Sequence, residues 1–320
     1  MNPTVAIAQP NIALIKYWGK KDVSRNLPAV SSLSVTLANL QTSMAVGFEA
    51  DLHTDLLTVN GEQSAGMLTR VSSCLDRVAG AHRQRARVTS TSNFPIAAGL
   101  ASSASAFAAL VVAADAAVGG RRAPLDLARL AGAESGSAAR SLFGGFALLT
   151  AGDEHIDVEQ IATPEEWPLE VVVAVTERGP KPVGSGEAMK RSALTSPFYS
   201  RWISEQDDDL RTAREAVAKR DFEKLAAVSE HNCLKMHSVM WTSRPAIVYW
   251  NSATIACLES IRQLQSRGLG VFFTIDAGPQ VKAVCLPGAT DEVEATLGQT
   301  PGVLETMRTA LGPGARIEQG

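Results

Sequence analysis

The chain has 320 residues, 45% of them hydrophobic and 20% charged, and a formal net charge of −3. That balance suits a globular protein with a sizeable core and room for a cleft. It excludes a basic nucleic-acid-binding field, so an anionic ligand has to be held by local lysines, arginines and helix ends.

In chain order, Val5 to Ala8, Leu33 to Leu37, Met44 to Phe48 and Leu56 to Val59 read as strands, with Asn60-Gly61 as a turn. Leu68, Val71, Leu75 and Val78 follow helical spacing and Gly80 lies just past the end. Arg87 to Thr91 is a further strand, followed by an almost wholly apolar helix through Ala106–Val112 and another helix near Leu125 to Gly132. Strands follow at Phe146 to Leu149 and Glu170 to Val175. Residues 177–186, rich in glycine, proline and lysine, read as a mobile loop. Helical patterns then run to about residue 240, with Asp207-Asp208-Asp209 as a solvated face. A helix through Ile255, Leu258, Ile261 and Leu264 ends at Gly268, and strands Val271 to Ile275 and Val281 to Cys285 flank Asp276-Ala277-Gly278-Pro279. The pattern predicts an α+β protein with a strand-rich N-terminal half (1–175), a helix-rich C-terminal half (176–320) and a cleft between them. Cys74, Cys233, Cys257 and Cys285 form no Cys-x-x-Cys pair and read as buried thiols of a reducing compartment. His231, Cys233 and His237 do not share one helical face and read as ordinary residues rather than metal ligands. Met1–Thr4 has no signal-peptide pattern, and the apolar stretch 106–118, broken by Asp115, is too short to cross a bilayer. A cytoplasmic location is expected.

Four segments carry candidate chemistry. In Asn93-Phe94-Pro95-Ile96-Ala97-Ala98-Gly99-Leu100-Ala101-Ser102-Ser103-Ala104-Ser105, a proline, a glycine and paired serines precede the apolar helix. Unpaired N–H groups and the helix dipole make such a start an anion site, and serine hydroxyls add donors for phosphate and oxygen ligands for magnesium. The bland alternative is a cap and a turn. Lys16, Lys20 and Lys21 surround Tyr17 and Trp18; they either snorkel from packed rings or hold phosphate or carboxylate groups. Glu134-Ser135-Gly136-Ser137-Ala138-Ala139-Arg140-Ser141 ends in a guanidinium able to grip a carboxylate bidentately, or is a capping loop with a surface arginine. Asp276 at a strand exit is either a turn aspartate or a rigidly held general base or orienting acceptor.

Asn11-Ile12-Ala13-Leu14-Ile15-Lys16-Tyr17-Trp18-Gly19-Lys20, Ser31-Ser32-Leu33-Ser34-Val35-Thr36-Leu37, the serine-rich loop, Gly136-Ser137-Ala138-Ala139-Arg140-Ser141 with Gly144-Gly145-Phe146, and Phe273-Thr274-Ile275-Asp276-Ala277-Gly278-Pro279 together resemble the mevalonate diphosphate decarboxylases of the GHMP kinase superfamily. The resemblance implies a two-lobed fold with a deep cleft: an N-terminal lobe like the second domain of a small-subunit ribosomal protein, and a ferredoxin-like C-terminal lobe. It implies ATP-dependent, magnesium-assisted 3-phosphorylation and decarboxylation of 5-diphosphomevalonate to isopentenyl diphosphate. The alternatives are decarboxylation of the 5-monophosphate and a kinase that stops after 3-phosphorylation. Matching residue by residue, Asp276, Lys16 and Arg140 are expected to be catalytic. Tyr17, Trp18, Lys20, Ser135, Ser137, Ser185, Met189 and Ala277 are expected to bind the substrate. Pro95, Gly99, Leu100, Ala101, Ser102, Ser103 and Ser105 are expected to bind ATP, with Ser103 also on the metal. Val30 and Gly186 depart from the family pattern, Gly186 where a contact to the distal phosphate is expected. A homodimer is implied only because relatives form one.

Overall fold

The computed structural model describes residues 3–94, 102–179 and 181–318. The N-terminal part runs β1 (Thr4–Ala8), β2 (Asn11–Ile15), β3 (Lys20–Asp22), β4 (Leu27–Pro28), β5 (Ser32–Thr36), β6 (Thr42–Glu49), β7 (Leu56–Val59), β8 (Glu62–Gln63), α1 (Leu68–Ala79), β9 (Arg85–Ser92), α2 (Ser102–Ala117), α3 (Pro124–Glu134), a 3-10 turn (Ala138–Leu142), β10 (Phe146–Ala151) and β11 (Ile156–Ala162). The remainder is β12 (Glu170–Val175), α4 (Ser185–Thr195), α5 (Tyr199–Lys219), α6 (Phe222–Trp241), α7 (Ser252–Ser266), β13 (Val271–Ile275), β14 (Val281–Cys285), α8 (Thr290–Gly298), β15 (Glu305–Ala310) and β16 (Arg316–Ile317).

Local chemistry explains the clearer boundaries. Val71, Cys74, Leu75 and Val78 form the buried stripe of α1, and Gly80 ends it with φ 87°. Asn60 and Gly61 both have positive φ, as a tight hairpin between β7 and β8 requires. Asn251 and Thr254 form a reciprocal capping box at the start of α7. Helix α2 is apolar nearly all round because it is enclosed, with β1 and β6 on one side and α1, α3 and the 3-10 turn on the others.

Three main sheets result. The first has strand order β16-β1-β6-β9-β7-β8, antiparallel except for the parallel pair β7 and β9. The second, β11-β10-β5-β2, and the third, β13-β14-β12-β15, are antiparallel throughout. To the two strands that the sequence suggests in the helix-rich C-terminal half, β13 and β14, the structure adds β15 and β16. Two strands also cross the expected division at 175/176. β12 pairs with β14 and β15, and β16 returns to pair with β1. Hydrogen bonding, not chain position, decides which sheet each joins.

The halves share a core. Ile12, Leu14, Leu33, Val35 and Phe146 from the second sheet pack with Val171, Val173, Phe272 and Val284 from the third, and Leu210, Ala213 and Leu225 of α5 and α6 join the same cluster. This core fixes the end of β2 relative to the end of β13. Phe272 is fully buried and its ring tilts against Phe222 at 5.4 Å. Phe272→Ala is expected to destabilise the fold by about 3–5 kcal/mol, measured as a lower urea midpoint, because the lost contacts leave a cavity at the junction.

Candidate active site

The cleft of about 750 Å³ lies between the start of α2, the 3-10 turn, the segment after β2 and the turn after β13. Ser102, Arg140 and Asp276, far apart in sequence, all line it. So do Lys16, Tyr17, Trp18, Lys20, Ser103, Ser135, Ser137, Ser185, Met189 and Ala277. Pro95, Gly99, Leu100 and Ala101 lie outside the described residues. Ser105 departs from the expected phosphate contact. It is one turn into α2, fully buried, and its hydroxyl is engaged by Thr42 Oγ1 at 2.8 Å and the Ser102 carbonyl at 3.1 Å. The helical turn points it into the core rather than into the cleft.

At the centre, Lys16 Nζ donates to Asp276 Oδ1 at 2.7 Å and to the Ala13 carbonyl at 2.8 Å. Lys16 is 1% exposed, whereas the Asp276 carboxylate is 23% exposed and so open to a ligand. On the inner side, Lys282 Nζ lies 3.5 Å from Asp276 Oδ2. Burial alone would raise the Asp276 pKa, but Lys16, Lys282 and Arg140 outweigh it and hold the carboxyl well below the usual carboxylate range.

Arg140 is 2% exposed, and burial lowers its pKa to about 10 against the opposing pull of Asp276 and Tyr17, so it remains cationic at neutral pH. Nη1 donates to Ser32 Oγ at 2.8 Å and Nη2 to Asn11 Oδ1 at 3.2 Å. Asn11 in turn donates to the Ser137 carbonyl and Ser141 Oγ. The guanidinium is thus oriented by neutral partners, and among the described residues its Nε has no hydrogen-bond partner. The Tyr17 hydroxyl is likewise buried without a partner among the described residues, and burial pushes its pKa to about 12. Both residues line the cleft, and unpartnered buried donors beside a cleft call for an explanation that packing alone does not give. Gly136 has a steric reason: a Cβ there would come within 2.2 Å of the Tyr17 hydroxyl oxygen. Gly19 takes φ 103°, and a Cβ there would strike the Tyr199 hydroxyl.

A strap formed by residues 181–184 ahead of α4 supplies another cation. Lys181 Nζ donates to Ser185 Oγ at 2.6 Å and to the Ala277 carbonyl at 2.8 Å, joining the start of α4 to the Asp276 turn. Burial lowers its pKa to about 8 against the attraction of Asp276, with Lys282 adding to the lowering. Met189 packs with Trp18 and Trp202 behind the strap. At the opposite end, Met44, Leu57, Val59, Met67, Val71 and Phe107 form an apolar slot, and the Arg70 guanidinium lies 4.6 Å from the Phe107 ring centre. An apolar slot leading to a serine-bearing helix start and a cluster of cations fits a nucleoside polyphosphate. Among the described residues no group of three His, Cys, Asp or Glu side chains could hold a metal. Ser103, expected to hold magnesium, lines the cleft at the start of α2, where the ion would supply charge neutralisation to phosphates.

Helix α6 fixes the central pair. Asn232 Oδ1 accepts from the Lys16 backbone N–H at 2.8 Å, and Gln206 Nε2 donates to the Lys16 carbonyl at 2.8 Å. Asn232 Nδ2 donates to Gln206 Oε1 and Asp209 Oδ2. Asp209, expected on a solvated face, is instead 14% exposed and ion-paired with Lys235. Next to Asn232, Cys233 Sγ accepts from the Ile275 N–H at 3.2 Å, and one turn further on His237 Nε2 lies 3.2 Å from the Ile275 carbonyl. Cys233 and His237 thus share a face, but it grips backbone; His231 is exposed. Sequence reading missed Lys181, Lys282, Asn232 and Gln206 as site residues. Lys282 carried a signal, a lysine inside the otherwise apolar strand Val281–Cys285. The amide pair carried none, because its partners are distant backbone atoms.

These features define the class, a two-lobed enzyme of GHMP-kinase-like fold whose cleft joins an acid–lysine pair to a helix start. The model of the diphosphomevalonate decarboxylase-like N-terminal domain matches residues 8–161, and that of the mevalonate 5-diphosphate decarboxylase C-terminal domain matches residues 171–310. The diphosphomevalonate decarboxylase of Candida albicans is 31% identical over 96% of this chain and 95% of its own length. Mevalonate diphosphate decarboxylase from Staphylococcus aureus superposes with a TM-score of 0.93 at 33% identity, over 99% of this chain and 98% of that one. A structure described as MDDEF in complex with MVAPP, AMPPCP and magnesium gives 0.92 at 35% identity, over 100% of this chain and 99% of that one. The chain belongs to the diphosphomevalonate decarboxylase family.

Asn232→Ala is expected to lower kcat at least tenfold while leaving the KM for ATP within about twofold, since misplacing a catalytic group by a fraction of an ångström is enough to slow chemistry. Steady-state kinetics beside a thermal melt check this.

Proposed function

We propose that this chain catalyses the ATP-dependent decarboxylation of 5-diphosphomevalonate to isopentenyl diphosphate, ADP, phosphate and carbon dioxide. The observation that carries the proposal is the placement of the Lys16–Asp276 pair, Arg140 and the α2 serines around one cleft. The structural relative bound to MVAPP, AMPPCP and magnesium supports the same ligand set.

The reaction has two stages. First the γ-phosphoryl group passes from ATP to the substrate's tertiary 3-oxygen, the bond to the departing ADP breaking as the new P–O bond forms and the hydroxyl proton passing to a phosphoryl oxygen. Then the C3–O bond breaks, the electron pair leaving with phosphate, and the C1–C2 bond breaks so that its electrons form the C2=C3 double bond as carbon dioxide departs. Asp276, kept ionised by its ammonium neighbours, accepts a hydrogen bond from the 3-hydroxyl and orients its oxygen. A carboxylate so acidified is a better aligner than a store for the proton. Lys16 shields the phosphoryl group in flight, and Arg140 fixes the substrate carboxylate until C1 leaves. Tyr17, Trp18, Ser135, Ser137, Ala277, Ser185 and Met189 shape the substrate side of the cleft, with Lys20 toward its diphosphate. Ser102 and Ser103 and the start of α2 take the ATP phosphates. Magnesium, when bound, neutralises phosphate charge, on which phosphoryl transfer chiefly depends. The proposal includes a homodimer, which rests on the family resemblance alone, and a cytoplasmic location, in keeping with four buried free thiols. Among the described residues no helix is long and apolar enough to cross a membrane.

The decisive assay follows ADP and carbon dioxide together from 5-diphosphomevalonate and from the 5-monophosphate. Equal yields of both products from the diphosphate are expected. Turnover of the monophosphate alone, or ADP without gas, would replace this reading with one of its two alternatives. Asp276→Ala is expected to lower kcat by about 10²–10⁴-fold with ATP binding retained, as measured by calorimetry. Because Lys181 loses its charge as pH rises through about 8, KM for the phosphorylated ligands should rise over that range. Lys181→Arg, cationic throughout, should flatten the rise.

A further inference from the structure

Lys282 enters the reaction described so far only as one of the cations that keep Asp276 ionised. It is the second residue of β14, opposite Thr274 of β13, and its side chain is wholly buried. It does not line the cleft, whereas Lys16 and Asp276 do. Its Nζ lies 3.5 Å from Asp276 Oδ2, while Lys16 Nζ takes Oδ1 at 2.7 Å. The two ammonium groups therefore address different oxygens of one carboxylate, one at the cleft and one from the interior.

A buried lysine is an expensive device for holding a turn. Desolvating an ammonium is unfavourable, and because Asp276 keeps Lys16 as a partner at 2.7 Å, an apolar side chain in place of Lys282 leaves no unpaired buried charge. The surroundings make the charge harder to keep. Lys16, Arg140 and Lys181 already place three cations around Asp276, so a fourth adds repulsion. Its cross-strand neighbours Val173 and Thr274 and the same-face strand residue Val284 are all buried, so an apolar side chain there would meet largely apolar contacts.

We propose that Lys282 is a positioning residue for the reaction: it anchors the inner oxygen of Asp276 and so fixes the carboxylate plane that presents the other face to the substrate hydroxyl. This rests on the reading of Asp276 as the orienting acceptor. It predicts a residue kept for activity at the expense of stability.

The test compares Lys282→Met with Lys282→Gln in the full-length protein. The Met variant should melt at the wild-type temperature or higher, bind ATP with unchanged affinity by calorimetry, and lose at least tenfold in kcat. Gln retains a donor toward Oδ2 and should recover part of that kcat. The acid limb of kcat is a further readout that packing alone would not move. Asp276 is faced by Lys16 beyond β2, Arg140 and Tyr17 across the cleft, Lys181 on the strap, Cys233 and His237 on α6, and Lys282. Removing only Lys282 should shift that limb to higher pH, because one cation fewer stabilises the carboxylate. Wild-type kcat in both folded variants would overturn the proposal. So would a lower melting temperature in which lost activity matches lost folded protein and the acid limb stays in place, because Lys282 would then be structural. If wild-type protein itself turns over no mevalonate phosphate, the failure lies with the proposed reaction. The Asp276–Lys282 link is then read independently by NMR titration of the Asp276 carboxyl in wild type and Lys282→Gln. An unchanged titration would sink it.

Discussion

Everything in the cleft depends on one ion pair that joins the two halves of the molecule. Lys16 follows the last strand residue of an N-terminal sheet, and Asp276 follows the last residue of a C-terminal strand. Their 2.7 Å contact exists only because a shared apolar core holds those two strand ends in register. The pair is electrostatically lopsided. One carboxylate sits among Lys16, Lys282, Arg140 and Lys181, so this end of the cleft carries an excess of positive charge. A polyanionic ligand relieves that repulsion, and the excess itself selects for phosphates and carboxylates.

The supporting structure is built to resist the same repulsion. Cations that push apart would swing away unless their backbones were fixed. Helix α6 supplies that restraint at both ends, Asn232 on the Lys16 amide and Cys233 and His237 on the Ile275 peptide group. The groups on the helix side are neutral or kept neutral: burial drives the His237 pKa down to about 3 and the Cys233 thiol up. Orientation is thus achieved without adding charge to an already crowded site. Arg140 is treated in the same way, steered by Ser32 and Asn11 rather than by a carboxylate that would compete with a substrate's own.

Much of this was legible in the sequence, for identifiable reasons. The stripe of α1, the Asn60-Gly61 hairpin and the strands flanking Asp276 follow from local spacing and turn chemistry. The site motifs were legible because small residues, lysines and a lone acid stood out in ordinary surroundings. β2 was read as a motif and not as a strand, because its ladder ends at a lysine whose backbone partners come from helices. The terminal strand β16 is two residues long, so no pattern could announce it. Ser105 was placed with the phosphate serines by resemblance, and only the helical turn shows it facing Thr42. The amides of Gln206 and Asn232 were invisible because their importance lies in backbone groups nearly two hundred or more residues away.

The central claim is that Lys16 and Asp276 act as one unit. A double-mutant cycle with Lys16→Met, Asp276→Asn and the combined variant, read in kcat/KM for ADP formation, tests it most directly. If the pair works as a unit, the double variant is no slower than the slower single variant. Losses that multiply in the double variant would mean that the two side chains act independently, and the account of the cleft built on their contact would be wrong.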